Sequence, residues 1–136
     1  MARLPRKRVW ERAHGCCEYC LLPQAFSTLP HEIDHIRARK HHGRATLSNL
    51  CLACAACNAF KGPNVAGYDP DTGELVPLFD PRNDKWSTHF TWSGARLVGT
   101  TPVGRSTIDV LRINASERVQ HRAMLMALGV FPPKRR

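Results

Sequence analysis

Two short cysteine pairs constrain this chain more than any other feature. Cys17-x-x-Cys20 and Cys54-x-x-Cys57 stand 33 residues apart in a chain of 136. A CxxC turn brings two thiolates to one ion, and zinc favours four thiolates in a tetrahedron. Two such pairs predict a structural four-cysteine zinc site that closes the intervening segment into a loop. A competing register exists, because Cys51-x-x-Cys54 is also a CxxC and Cys16 adjoins Cys17. Cys54 and Cys57 are preferred, since Cys51 lies in the apolar run Leu50-Cys51-Leu52-Ala53, which reads as a strand that can send the thiol into the core. Cys16 and Cys51 are then expected to be small buried apolar residues. A redox-active CxxC would call for a thioredoxin-like βαβ pattern, which this sequence does not show.

Charge and hydropathy narrow the class. No apolar run approaches the roughly 20 residues of a membrane-spanning helix. The basic start MARLPRKRVWERA has no apolar stretch after it, so it does not read as a secretory signal. The six cysteines are therefore expected as metal ligands or reduced thiols of a cytoplasmic protein, not as disulfides. The net charge of +9 points to a polyanionic partner. Residues 1–62 hold ten Lys and Arg against four Asp and Glu; residues 63–136 hold ten against seven, and Lys134-Arg135-Arg136 accounts for that second excess. Charge gathered around the cysteine-bearing half favours nucleic acid, where phosphate contacts release counterions.

Along the chain, residues 5–14 read as a short basic helix ended by Gly15. Residues 31–36 alternate as a strand does, and the polar loop RARKHHGRATLS leads to the returning strand after Asn49. ACAACNAFK has the composition of a short helix, stopped by Gly62-Pro63. Such a unit buries little core and needs a staple. Past Pro63, an Asp-Pro-Asp-Thr-Gly turn precedes one short strand, and KWSTHFTW with ARLVG forms a hairpin around Ser93-Gly94. Thr101-Pro102 starts a helix carrying Ile108 and Leu111 on one face, and Asn114 caps a last helix running to about Leu128. Tyr68, Phe79, Trp86, Phe90 and Trp92 are expected to build a small core there; a base-stacking platform is the sharper alternative.

Within the first half, Asp34-His35, Asn49, Asn58 and Lys61 follow one another between and around the zinc pairs. The text CEYC, EIDHI and LSNLCLACAACNAFKG resembles the HNH endonuclease family, the ββα-metal or His-Me finger nucleases. The resemblance covers roughly residues 5–62. It implies an α+β fold: a zinc-stapled ββα-metal core over residues 1–62, with residues 63–136 as a C-terminal extension of a β-hairpin and two helices packing on it. The implied activity is metal-dependent hydrolysis of DNA phosphodiester bonds, by nicking or double-strand cleavage, with double-stranded DNA as partner and no membrane.

The resemblance also implies roles. His35 is the general base, a part that imidazole suits because it can accept a proton near neutrality. Asp34 and Asn58 hold one divalent cation, and Asn49 pins the loop and orients His35. Asn58 stands where many members carry His, and an amide oxygen favours Mg2+ or Mn2+ over zinc at that position. Arg6, Lys7, Arg8, Arg37, Arg39, Lys40 and Lys61 are candidate DNA contacts. His41 and His42 read as solvated loop residues, and Glu32 as a solvent-facing strand residue with an accessory metal role as the lesser reading. A non-catalytic zinc-stabilised nucleic-acid-binding module shares the charge and the cysteines but has no use for Asp34, His35 and Asn58 in order. A protein-interaction zinc domain has no use for the basic segments.

Overall fold

The alternation at Glu32 gives the expected strand. In the computed structural model, which describes residues 4–134, β1 (Glu32–His35) pairs antiparallel with β2 (Leu50–Ala53). Arg135 and Arg136 of the terminal basic run lie outside the described residues. The register is Glu32 with Ala53, Ile33 with Leu52, Asp34 with Cys51 and His35 with Leu50. Opposed residues share a face and neighbours alternate. One face therefore carries Ile33, His35, Leu50 and Leu52, and the other Glu32, Asp34, Cys51 and Ala53.

Each face has its own cover. Helix α1 (Arg6–Arg12) puts Val9 onto Leu50 and Leu52, with Ile33 packed beside them. Arg12 fixes this helix to the strand end by donating to the Leu47 and Leu50 carbonyls at 2.9 and 2.6 Å. The opposite face meets helix α2 (Ala55–Lys61) and Tyr19. Cys54 caps α2, its sulfur accepting the Cys57 amide.

The extension begins with a hairpin of β3 (Ala66–Tyr68) and β4 (Leu75–Pro77). The sequence predicts only one strand here; three residues of β3, with a glycine in the middle, are too few to show alternation. Asp69 orders the turn by accepting from the Asp71 amide and the Thr72 hydroxyl, and Arg105 clamps the same carboxylate through two bonds of 3.0 and 2.8 Å. KWSTHFTW is not strand throughout. Trp86–His89 forms one helical turn, α3, before β5 (Phe90–Ser93) pairs with β6 (Arg96–Gly99). The turn lets the Trp86 indole donate to the Tyr19 carbonyl at 2.9 Å.

Helix α4 (Pro102–Val110) starts as predicted, with the Thr101 hydroxyl accepting the Gly104 amide. Asn114, however, does not cap α5 (Ser116–Ala127); Ala115 occupies the cap position. The Asn114 amide instead bonds both the N–H and the C=O of Leu97, completing the open edge of β6. Tyr68 also departs from expectation, being 65% exposed and outside the core.

One apolar cluster crosses the chain's midpoint, joining Cys17, Tyr19 and Cys51 to Phe79, Phe90, Leu97, Leu111 and Ile113. Phe79 and Phe90 meet edge to face at 5.2 Å, and Arg82 pairs with Glu18 inside the first cysteine knuckle. No helix among the described residues is long and apolar enough to cross a membrane.

Candidate functional site

The cysteines converge as their spacing requires. The sulfurs of Cys17, Cys20, Cys54 and Cys57 all lie within 4.8 Å of one another, and all four residues are buried. A tetrahedron with zinc–sulfur bonds of ~2.3 Å has edges of ~3.8 Å, and the Cys20–Cys54 sulfur separation is 3.7 Å. The donor set and its spacing fit a structural zinc ion. Backbone amides of Cys20 and Cys57 donate to the sulfurs of Cys17 and Cys54, each at 3.4 Å, so each CxxC forms a knuckle that points its lone pairs inward. Cys51 stays out of the cluster, fully buried on β2. Cys16 differs from expectation. It is only half-buried, because its sulfur lies against the His14 carbonyl at 3.5 Å and does not enter the core.

Asp34 stands opposite Cys51 on the α2 face and is 4% exposed. Its carboxylate accepts from the Tyr19 hydroxyl at 2.8 Å and pairs with the Lys61 ammonium at 3.2 Å. Burial, then the neighbouring Cys51 and Asp34, push the Tyr19 phenol well up, so it remains a donor to Asp34. Burial and Asp34 raise the Cys51 thiol likewise, and its S–H lies 3.5 Å from the same carboxylate oxygen. Lys61 is only 1% exposed and donates a further bond to the His35 carbonyl at 3.1 Å. Lys61, a candidate phosphate contact in the sequence, has its ammonium bonded inside the protein.

On the same face, the Asn58 amide nitrogen donates to Glu32 at 3.2 Å. Glu32, read from the sequence mainly as a solvent-facing residue, is thus exposed but joined to Asn58. Asp34, Glu32 and Asn58 offer oxygen donors from the facing surfaces of β1 and α2, a chemistry suited to a hard divalent cation. A cation bound there would have to share the Asp34 oxygens that Lys61 holds.

His35 is the last residue of β1, half-buried, and the pleat turns it to the face of Ile33 and Leu50. Its ring makes no hydrogen bond among the described residues. Asn49 clamps the loop that follows: its side-chain oxygen accepts the Arg37 amide at 2.9 Å, and its nitrogen donates to the Arg37 and Arg44 carbonyls at 3.0 and 2.9 Å. The loop turns so tightly that a Cβ at Gly43 would collide with the Arg37 carbonyl. Arg6, Lys7 and Arg8 on α1 and Arg37, Arg39 and Lys40 in the loop are wholly or partly exposed, as are His41 and His42. His31 is buried and bonded through its ring to the Leu22 carbonyl.

Tyr19 and Arg118 are the site residues that sequence reasoning missed. Tyr19 sits within the first CxxC, where nothing local marks it as a partner of Asp34. Arg118 lies 61 residues beyond Cys57 yet donates to its sulfur at 3.0 Å.

The model of the HNH endonuclease family matches residues 17–63, the stretch on which the sequence resemblance rests. The Septu protein PtuB of Bacillus thuringiensis is 25% identical over 118 residues, covering 85% of this chain and 43% of that protein. The chain thus spans about two fifths of the length of this curated relative. No solved structure matches the chain.

Proposed function

We propose that this chain is a metal-dependent endonuclease that hydrolyses DNA phosphodiester bonds, with His35 as general base. The observation that carries this reading is the juxtaposition at the end of β1. His35 projects from the strand's final residue, Asp34 faces the helix bearing Asn58, and Asn49 holds the succeeding loop by three hydrogen bonds. The match of residues 17–63 to a nuclease family supports it.

In this reaction His35 takes a proton from water, whose oxygen attacks phosphorus in line with the departing 3′-oxygen. The attacking oxygen stays on the 5′-phosphate, and the 3′-oxygen leaves as a hydroxyl after protonation by solvent. A divalent cation, Mg2+ or Mn2+, supplies positive charge at the scissile phosphate when bound. Asp34 and Asn58 are the residues that would hold it, with Glu32 beside Asn58. Asn49 keeps the loop backbone closed, so that His35 projects from a fixed strand end. The exposed cations of α1 and the loop hold neighbouring phosphates and make binding salt-dependent.

One observation favours a second reading, a non-catalytic zinc-stabilised nucleic-acid-binding module: Lys61 already neutralises Asp34. Supercoiled plasmid with Mg2+ or Mn2+ decides between them. The first reading expects nicked or linear product, lost by ~10²-fold or more in His35→Ala while plasmid binding persists. Intact plasmid, bound equally by both proteins, supports the module instead.

A further inference from the structure

Four thiolates around one zinc ion leave a net charge of −2, and this cluster is buried. A buried charge of that size needs nearby compensation. Among the described residues, the first half of the chain supplies neutral donors to the sulfurs, the backbone amides of Cys20 and Cys57. The charged donor comes from the extension. The Arg118 guanidinium, in the first turn of α5, donates to the Cys57 sulfur at 3.0 Å and lies 3.8 Å from the Cys54 sulfur. Its other terminal nitrogen donates to the Leu111 and Arg112 carbonyls, at 2.7 and 3.1 Å, just past the end of α4. The planar fork is therefore aimed from both sides, and a lysine ammonium cannot reproduce that geometry. Arg122, one turn further along, is committed elsewhere: it bonds the Ala95 carbonyl and the Asn114 amide oxygen and stacks on Trp92.

A cleft of about 200 Å3 runs beside this contact, bordered by Cys20, Leu29, Cys54, Arg118 and Arg122. Arg118 stands on its wall.

We propose that Arg118 is part of the zinc centre. Its guanidinium offsets the charge of the metal–thiolate cluster and withdraws electron density from the Cys57 sulfur, so the C-terminal extension is what completes metal retention. This does not depend on whether the chain cleaves nucleic acid.

The test uses the full chain with Co2+ in place of zinc. Three variants are compared with the parent: Arg118→Met, which removes charge and donors; Arg118→Lys, which keeps only the charge; and Leu125→Ala, which loosens α5 at a buried apolar residue two turns further along. Loss of an N–H···S bond raises the sulfur lone-pair energy, so the thiolate-to-cobalt charge-transfer band moves to lower energy in Arg118→Met and by less in Arg118→Lys. In zinc-loaded protein, competition with a chromophoric chelator shows an affinity ~10- to 100-fold weaker in Arg118→Met. Leu125→Ala lowers the melting temperature but leaves the band in place. An unmoved band in Arg118→Met, or affinity no weaker than in Leu125→Ala, overturns the proposal, as does a purified chain that retains no zinc. Should Arg118→Met fail to fold, the band of Arg118→Lys decides by the same criterion.

Discussion

Replacing Lys61 with methionine removes a buried cation while keeping most of the length of its side chain. Lys61 and Asp34 are separated by 3.2 Å, with side-chain exposures of 1% and 5%. At an effective dielectric of about 20, a unit-charge pair at that distance is worth about 5 kcal/mol. Breaking a buried pair by deleting one member costs about 3–5 kcal/mol, because the other charge is left behind. Tyr19 still donates to Asp34 in the variant, which places the expected loss near the lower bound. Urea unfolding of the parent, Lys61→Met, Asp34→Asn and the double variant forms a cycle with an expected coupling of about 2 kcal/mol or more. The same material tests the metal site. With Lys61 gone, the Asp34 oxygens are open to Mn2+, so Mn2+ should stabilise Lys61→Met more than the parent. A loss below about 1 kcal/mol with no coupling would refute the reasoning that this pair governs the α2 face of β1.

Two further outcomes follow from named contacts. Asn49→Ala deletes three hydrogen bonds to the loop backbone; at about 0.5–1.5 kcal/mol each, partly recovered by water, the global loss should be about 1–2 kcal/mol. Hydrogen exchange of loop amides 37–44 should rise far more than that of β2, and equal changes in both would show that the clamp is not local. Hydrogen bonds from Arg105 hold the Asp69 carboxyl well below the usual carboxylate range. A lowered folded-state value means that the stabilisation is complete above the unfolded value of ~3.9 and is lost as pH falls toward the folded one. The melting-temperature gap between the parent and Asp69→Asn should therefore narrow between pH 7 and pH 3; a gap that stays constant contradicts the assignment.

The zinc cysteines were legible because metal ligation writes itself into spacing. Two ligands per tight turn leave a fixed CxxC signature, and strand placement separated Cys51 from the four cysteines that cluster. The β1–β2 pair was legible through alternation, and Thr101-Pro102 through capping chemistry. What failed to show were contacts made across long separations by side chains with ordinary local roles. Asn114 looks like a cap in sequence, yet the unpaired Leu97 backbone offers it two bonds in place of one. Lys61 reads as a phosphate-contacting cation at the end of a short helix, and only the fold reveals that the helix end lies over Asp34. Arg118 sits in a polar stretch indistinguishable from a solvated helix start until α4 and α5 bring it to Cys57.

These hidden contacts bear on why Asp34 and His35 stand side by side on a strand. The pleat sends them to opposite faces, so a single pocket cannot be lined by both through alternation alone. Lys61 bridges the difference: it grips the Asp34 carboxylate on one face and the His35 carbonyl in the adjoining backbone. The backbone from which His35 projects is thereby fixed by the same side chain that neutralises Asp34. The Asp34 carboxylate and the backbone that carries the imidazole are tied together through one lysine, a linkage that neither the Asp-His dipeptide nor the cysteine spacing carries.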